Sequence, residues 1–178
     1  MDLAHQRLVT VALLSDTHGV LDERVRGIAA ECDVAVHAGD ILDPDVLRAL
    51  EPRSGHVIAV RGNNDTPAQW PEHTRSLLER LPESASLGLP GGRLDVEHGH
   101  RVLPAYQRHE KLRARHPQAR LVVYGHTHML LIEQGRLPWI ANPGAAGRVR
   151  TFGGPSCIVL TASVDEWHLQ PHRFAREG

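Results

Sequence analysis

The chain has 178 residues, 41% of them hydrophobic and only 4% aromatic, and its formal net charge is -1. This length predicts a single domain over residues 1–178, with a core built mainly from aliphatic side chains. The near-neutral charge argues against nucleic acid or an anionic membrane as a partner. Because no apolar stretch could span a bilayer, no signal peptide is recognisable and two cysteines make a poor disulfide framework, we expect a soluble cytoplasmic protein.

The first third of the chain predicts alternating strands and helices. A nearly continuous apolar run at residues 7–14 is typical of a strand that is buried on both faces. Asp22 and Asp43 each precede a helical pattern and are predicted N-caps, the second with Pro44 at the first helical position. The predicted elements are a strand at 7–14, a helix at 21–32, a strand at 34–38, a helix at 43–50 and a strand at 56–60. This repetition favours a parallel or mixed sheet with helices packed on it.

The remainder of the chain predicts a hairpin, a further helix and several short strands. Residues 83–89 and 93–97 flank a Pro-Gly-Gly turn signal and are predicted to pair as a hairpin. A polar helix is predicted at 105–116, and we expect the basic run 101–120 to form a solvated helix face, with substrate recognition as the alternative. The other predicted elements are a partly helical stretch at 66–80 and strands at 121–124, 130–133, 139–141, 156–160 and 167–170.

Polar side chains follow five of the predicted apolar strands, and histidine is prominent among them. The chain has 13 histidines, and several occur in tight groups at these strand ends. The polar side chains concerned are Asp16, His18, Asp40, Asn63, His98, His126 and His128. Because loops at the carboxyl ends of strands converge in layered α/β folds, we expect these seven side chains to meet at one site.

The types of these side chains indicate metal binding. They offer oxygen and nitrogen donors and no thiolate, which suits cations such as Mn, Fe or Zn better than a structural cysteine-based zinc site. Seven donors exceed what one tetrahedral ion needs. They fit two ions that share one carboxylate, an arrangement that can clamp a phosphoryl group.

The spacing within the motifs supports the same interpretation. Asp16 and His18 are two residues apart, as are His126 and His128, so each pair would point to one side of an extended strand end. Any one of these histidines alone would more often be a satisfied core residue, but together they favour a metal site. Glycines are expected to keep the backbone tight beside the ions, where a side chain would clash. These glycines are Gly39, Gly62, Gly99 and Gly125.

Six motifs occur in the order found in calcineurin-like metallophosphoesterases. They are Ser15-Asp-Thr-His-Gly, Ala38-Gly-Asp40, Arg61-Gly-Asn-Asn-Asp65, His98-Gly-His100, Gly125-His-Thr-His128 and Asn142-Pro-Gly144. Each motif alone is weak, whereas the ordered set is specific and extends over most of the chain. The sequence most resembles the small YfcE-type phosphodiesterases of bacteria and archaea. The resemblance implies an α/β fold, a four-layer α-β-β-α sandwich of two mixed sheets flanked by helices.

The resemblance also implies a role for each residue of the set. It assigns one metal to Asp16, His18 and His128, a second metal to Asn63, His98 and His126, and a bridging position to Asp40. It implies a phosphoesterase, favouring a phosphodiesterase, in which a hydroxide between two divalent metals attacks a small-molecule phosphate ester. Manganese is the expected metal, with Fe, Zn, Ni and Co as alternatives, and a homo-oligomer is compatible with the sequence.

Other residues near these motifs are candidates for catalysis or substrate binding. Larger relatives carry a histidine, proposed to protonate the leaving group, where this chain has Asn64, and an amide cannot donate a proton near neutral pH. We expect good leaving groups such as phenolates to depart unaided, and His100 is the candidate substitute acid. Arg148 and Arg150 follow the Asn-Pro-Gly loop and could reach a phosphate. His37, within a predicted strand, is expected to be structural.

Two other functions share this sequence pattern. The small retromer scaffold subunit has the same fold and binds proteins, but its metal-ligand set is degraded, whereas Asp40 and Asn63 are intact here. Intact ligands favour an enzyme over a binding module. A nuclease would use the same metal chemistry, but the neutral charge and the lack of interleaved aromatic and basic residues argue against it.

Overall fold

The computed structural model describes residues 1–176. The protein consists of two five-stranded sheets with helices on their outer faces. The strands are β1 Leu8–Leu14, β2 Val34–His37, β3 His56–Ala59, β4 Ser84–Leu89, β5 Gly92–Glu97, β6 Leu121–Val123, β7 Leu131–Glu133, β8 Trp139–Asn142, β9 Ser156–Ser163 and β10 Trp167–Arg173. The helices are α1 Glu23–Ala30, α2 Pro44–Ala49, α3 Arg75–Arg80 and α4 Arg108–Arg115. Within residues 1–176, no helix has the length and apolar character needed to cross a bilayer.

Both sheets are mixed. The first has the strand order β10-β9-β1-β2-β3, in which β1, β2 and β3 are parallel and β9 runs antiparallel to β1. The second has the order β4-β5-β6-β8-β7, in which β5, β6 and β8 are parallel and both edge strands are antiparallel. The predicted architecture, a four-layer sandwich of two mixed sheets flanked by helices, is confirmed.

The alternation of side chains along β1 explains the layers. Val11 and Leu13 point into the core between the two sheets, while Ala12 and Leu14 point outward. The outward pair packs against the helix layer, where Val25 of α1 is buried. Since both faces of the strand are covered, the sequence of β1 is a continuous apolar run without polar alternation.

The helix starts follow the sequence signals. Asp22 accepts a hydrogen bond from the backbone N–H of Arg24, and Asp43 accepts one from the backbone N–H of Asp45. Both aspartates are therefore the N-caps that the sequence predicted. In the stretch 66–80, regular α-helix is limited to α3 and is preceded by a short 3₁₀ turn.

The prediction that the basic run 101–120 is a solvated helix face is wrong for two of its arginines. Arg108 is 8% exposed and Arg113 is 7% exposed. Arg113 pairs with Glu133 of β7 and donates to the carbonyl of Pro138, so its charge is satisfied inside the fold. The sequence could not reveal this, because Glu133 lies on a strand 20 residues further along the chain.

Candidate metal centre

The predicted metal ligands converge at one edge of the sandwich. The loops after the parallel strands β1, β2 and β3 of the first sheet meet the loops after β5 and β6 of the second sheet there. The structure brings together all seven predicted side chains, which are Asp16, His18, Asp40, Asn63, His98, His126 and His128. They form two groups that share Asp40.

The first group consists of Asp16, His18, Asp40 and His128, each with one ligand atom within 4.8 Å of the others. The Nε2 atoms of His18 and His128 are 3.2 Å apart. Oδ1 of Asp16 lies 3.3 Å from Nε2 of His128, and Oδ2 of Asp40 lies 3.7 Å from Nε2 of His18. Four donor atoms thus surround one small volume.

The second group consists of Asn63, His98 and His126. Oδ1 of Asn63 lies 3.1 Å from Nε2 of His98 and 2.9 Å from Nδ1 of His126. Oδ1 of Asp40 lies 3.4 Å from Nε2 of His98. The two carboxylate oxygens of Asp40 therefore face different groups, Oδ2 the first and Oδ1 the second.

Backbone carbonyls orient two of the imidazole rings. Nδ1 of His98 lies 2.8 Å from the carbonyl oxygen of Ala38, and Nδ1 of His128 lies 3.1 Å from that of Val149. A carbonyl only accepts, so each Nδ1 carries the proton and donates it. Each Nε2 consequently faces the cluster, as metal-ligating histidines do when a carbonyl holds the other nitrogen.

The backbone at these loops differs from the extended conformation that the two-residue spacing suggested. Asp16, His18, Asp40, His126 and His128 all have positive φ angles, of 54°, 48°, 56°, 68° and 59°. The prediction of paired side chains on an extended strand end is therefore wrong. For residues other than glycine the left-handed region costs about 1 kcal/mol each, so the surrounding structure must over-determine these loops.

Backbone hydrogen bonds between neighbouring loops hold the left-handed residues in place. The backbone N–H of Asp16 donates to the carbonyl of Gly39 at 2.9 Å, and that of His18 donates to the carbonyl of Asp40 at 3.0 Å. The loop after β1 is thus fastened to the loop after β2. Left-handed turns direct the side chains of both loops toward the shared volume.

Two predicted close approaches are confirmed at glycines between these loops. A Cβ atom added to Gly62 would lie 2.2 Å from the backbone nitrogen and from Oδ1 of Asp40. A Cβ atom added to Gly39 would lie 2.7 Å from Nδ1 of His98. Glycine is required at both positions because the backbone itself contacts the polar side chains.

Burial sets the protonation of the cluster. It raises the pKa of the fully buried Asp16 to about 7 and lowers the pKa values of His126 and His128 to about 4. Burial alone would also raise the pKa of Asp40, but hydrogen bonding and charge from His98 hold it well below its usual range. Asp40 is therefore ionised and the rings of His126 and His128 are neutral near pH 7, so these side chains offer lone pairs, and the residues present fit divalent cations.

His37 lies beside the centre and not in it, in keeping with the structural role expected for it. Its Nε2 is 3.0 Å from Oγ1 of Thr17, and the backbone N–H of Gly39 donates to its Nδ1 at 3.2 Å. Burial lowers the pKa of His37 to about 4, so the ring is neutral. It ties the loop after β1 to the loop after β2.

His100 lies next to the second group. Its ring centroid is 5.4 Å from that of His98 and 6.3 Å from that of His126. Its Nδ1 is buried and has no hydrogen-bond partner among residues 1–176. The side chain also lines a cleft of about 200 Å³ at this end of the sandwich.

One arginine near the centre, Arg108, was not identified as a site residue from the sequence. Arg108 packs its guanidinium over the Tyr124 ring at 5.9 Å, and its Nε has no partner among residues 1–176. After burial and the charge of His98, the charge of Arg108 contributes to the lowered pKa of His126. A signal was present, since Arg108 is four residues before the buried Leu112 and therefore shares its helix face.

Comparisons with known proteins agree with this geometry. The model of the calcineurin-like phosphoesterase superfamily domain matches residues 9–165. A phosphodiesterase of Methanocaldococcus jannaschii is 24% identical over 164 residues, which are 88% of this chain and 95% of that protein. The probable metallophosphoesterase YsnB of Bacillus subtilis is 29% identical over 167 residues, 88% and 86% of the two chains. A crystal structure of Vps29 from Entamoeba histolytica complexed with Zn²⁺ superimposes with a TM-score of 0.70 at 18% sequence identity. The match covers 93% of this chain and 98% of the Vps29 chain, and it shows likeness of fold alone.

Proposed function

Because the chain belongs to the calcineurin-like phosphoesterase superfamily, we propose that it is a phosphodiesterase that uses two divalent cations to hydrolyse small-molecule phosphate esters. The observation that carries this proposal is the position of Asp40. Its Oδ2 faces His18 and its Oδ1 faces His98, so one carboxylate lies between two groups of donors. This is the arrangement that a dinuclear centre needs.

The ligand assignment follows from the two groups. In this proposal Asp16, His18 and His128 would hold the first cation, Asn63, His98 and His126 would hold the second, and Asp40 would contribute to both. The donor set of nitrogen and oxygen atoms suits manganese, and Fe, Zn, Ni and Co also bind such donors. When bound, two divalent cations neutralise phosphoryl charge and acidify water for attack on phosphorus.

The chain's own residues position these ligands and handle the proton. Asn64 holds the Asp40 carboxylate with two hydrogen bonds and cannot act as an acid. His100 lies beside the second group and is the side chain proposed to protonate a poor leaving group. Because burial lowers the pKa of His100, its ring is protonated less often than a free imidazole. Esters with good leaving groups should therefore be the better substrates.

The test is metal-dependent turnover of bis(p-nitrophenyl) phosphate. Protein stripped with chelator should be inactive and should regain activity with Mn²⁺. Asp40→Asn and His98→Ala should lower kcat by at least about 100-fold, because each removes a ligand or its charge. His168→Ala is the matched control, since that histidine is exposed on β10. Full turnover in a correctly folded Asp40→Asn protein would contradict the proposal.

The same experiment separates the two competing functions. Tight metal binding without turnover on any phosphate ester would favour a scaffold-type binding module. A steep decrease of DNA binding with salt would favour a nuclease. The intact donor set of both groups supports the enzyme.

A further inference from the structure

An arginine-lined cavity of about 430 Å³ lies next to the metal centre. Arg148, Arg150 and Arg176 line it together with Thr151 and an Asp22–Arg24 pair. Its volume is within the range of small-molecule sites, which begins at about 300 Å³. None of its residues is among the proposed metal ligands.

The cavity has an excess of positive charge. Arg24 is paired with Asp22, with Nη2 and Oδ2 2.8 Å apart, so that charge is compensated. Among residues 1–176, no carboxylate forms an ion pair with Arg148, Arg150 or Arg176. Within the described part of the chain these three guanidinium groups thus lack a carboxylate partner, and a local excess of positive charge of this kind favours an anion.

One of these arginines connects the cavity to the metal centre. Nη2 of Arg150 lies 3.2 Å from Nε2 of His128. Arginine only donates, so in this contact the lone pair of Nε2 is the acceptor. That lone pair cannot both accept from Arg150 and ligate a cation. Cation binding at Nε2 would therefore release the Arg150 guanidinium from His128, and Arg150 is an exposed residue that also lines the cavity.

A second arginine is held in place by the wall of the cavity. Arg176 donates from Nε and from Nη2 to the carbonyl oxygen of Thr151, at 3.2 Å and 2.6 Å. Both atoms are engaged with one oxygen, which orients the guanidinium before any ligand arrives. Preorganised guanidinium groups suit phosphate, because their N–H donors match its oxygens in a bidentate manner.

We propose that this cavity binds a second phosphate group of the substrate. The preferred substrate is then a small molecule with two phosphates: an ester phosphate at the metal centre and a phosphate monoester held by Arg148, Arg150 and Arg176. The inference rests on the proposed function, since it assigns a substrate class to the same centre. It makes the three arginines specificity determinants that do not touch the scissile bond.

The test uses two substrates that differ only in the distant phosphate. These are thymidine 5′-(p-nitrophenyl phosphate) with a free 3′-hydroxyl and the same compound with a 3′-phosphate. The 3′-phosphorylated compound should have a KM lower by about 10-fold or more, as expected for charge-assisted hydrogen bonds. The ratio of the two KM values should fall below about 2-fold in the Arg148→Gln/Arg150→Gln double variant, and Arg7→Gln, at an exposed position, is the matched control that should keep it.

A binding measurement gives a readout that is independent of turnover. In calorimetry on Mn²⁺-loaded protein, thymidine 3′,5′-bisphosphate should bind about 10-fold more tightly than thymidine 5′-monophosphate. That difference should be lost in the Arg148→Gln/Arg150→Gln variant. Equal affinities, or equal KM values with full turnover, would overturn the inference and leave the phosphodiesterase proposal intact. Selective bisphosphate binding without turnover would contradict the phosphodiesterase and support the anion site.

Discussion

Asn64 donates a hydrogen bond to each oxygen of the Asp40 carboxylate. Its backbone N–H donates to Oδ1 at 2.8 Å, and its side-chain Nδ2 donates to Oδ2 at 2.7 Å. The carboxylate is thereby fixed in the plane that presents one oxygen to each donor group. Asn64 is a positioning residue for Asp40, at a place where larger relatives carry a histidine.

Replacing Asn64 should weaken metal retention. In Asn64→Ala one oxygen of Asp40 loses its side-chain donor, so the carboxylate can rotate away from the bridging orientation. Loss of such a supporting hydrogen bond typically lowers metal affinity by about 10- to 100-fold. The measurement is competition with a chelator of known affinity, with Gln134→Ala at an exposed position as control. Unchanged affinity would show that Asp40 is held sufficiently by other contacts.

Gly62→Ala should disrupt the centre and destabilise the fold. The added methyl would lie 2.2 Å from backbone and carboxylate atoms of Asp40, which neither group can relieve by a small shift. We expect a loss of at least about 2 kcal/mol in urea unfolding, as for other overpacked buried sites, together with reduced metal content.

Gly27 provides the matched control for that substitution. It lies within α1, and a Cβ atom there would have nothing within 4 Å. Gly27→Ala should therefore leave the metal content unchanged and stabilise the protein by about 0.5–1 kcal/mol, the helix preference of alanine over glycine. A Gly62→Ala protein as stable as Gly27→Ala would contradict the close approach.

His100→Ala should separate esters by their leaving groups. A proton donor matters most for alkoxides, which leave poorly, and little for p-nitrophenolate. The variant should lose about 100-fold in kcat on an alkyl phosphodiester and less than about 5-fold on bis(p-nitrophenyl) phosphate. The measurement is kcat across esters of graded leaving-group pKa. An equal loss on all of them would remove His100 from the role of acid.

His116 should make stability depend on pH. Its Nε2 lies 2.9 Å from Glu97 and its Nδ1 lies 3.0 Å from Asp95. The hydrogen bond to Glu97, then that to Asp95, raises the pKa of His116 above 6.5 although burial opposes this. The raised pKa means that protonated His116 stabilises the folded protein. This stabilisation is fully present at a pH below the pKa of His116 in the unfolded chain, and it is lost as the pH rises through its pKa in the folded protein.

The corresponding experiment compares urea unfolding of wild type and His116→Gln across pH. The variant should be less stable than wild type at acidic pH, and the gap should narrow as the pH rises above the folded pKa of His116. His168→Gln, at an exposed histidine of β10, is the matched control for the substitution itself. A gap that widens at high pH would mean that His116 is not charged in the folded protein.

Sequence reasoning was most successful where the signal is local. The N-caps Asp22 and Asp43 are predictable because a cap acts on backbone groups two residues away. It failed where partners are distant, as for Arg113, which pairs with Glu133 on β7. It also failed for the backbone of Asp16, because the left-handed conformation depends on a hydrogen bond to the next loop.

The sequence by itself determined which donor atoms are available and that each follows a strand, because these depend on residue type and on local hydrophobic pattern. Only the tertiary structure decided that Asp40 offers one oxygen to each group and that Arg150 reaches from His128 toward a charged cavity. The physical reason is the distance along the chain over which each kind of interaction acts. Strand and helix patterns act over a few residues, whereas the placement of a charge depends on loops that meet only when two sheets pack together.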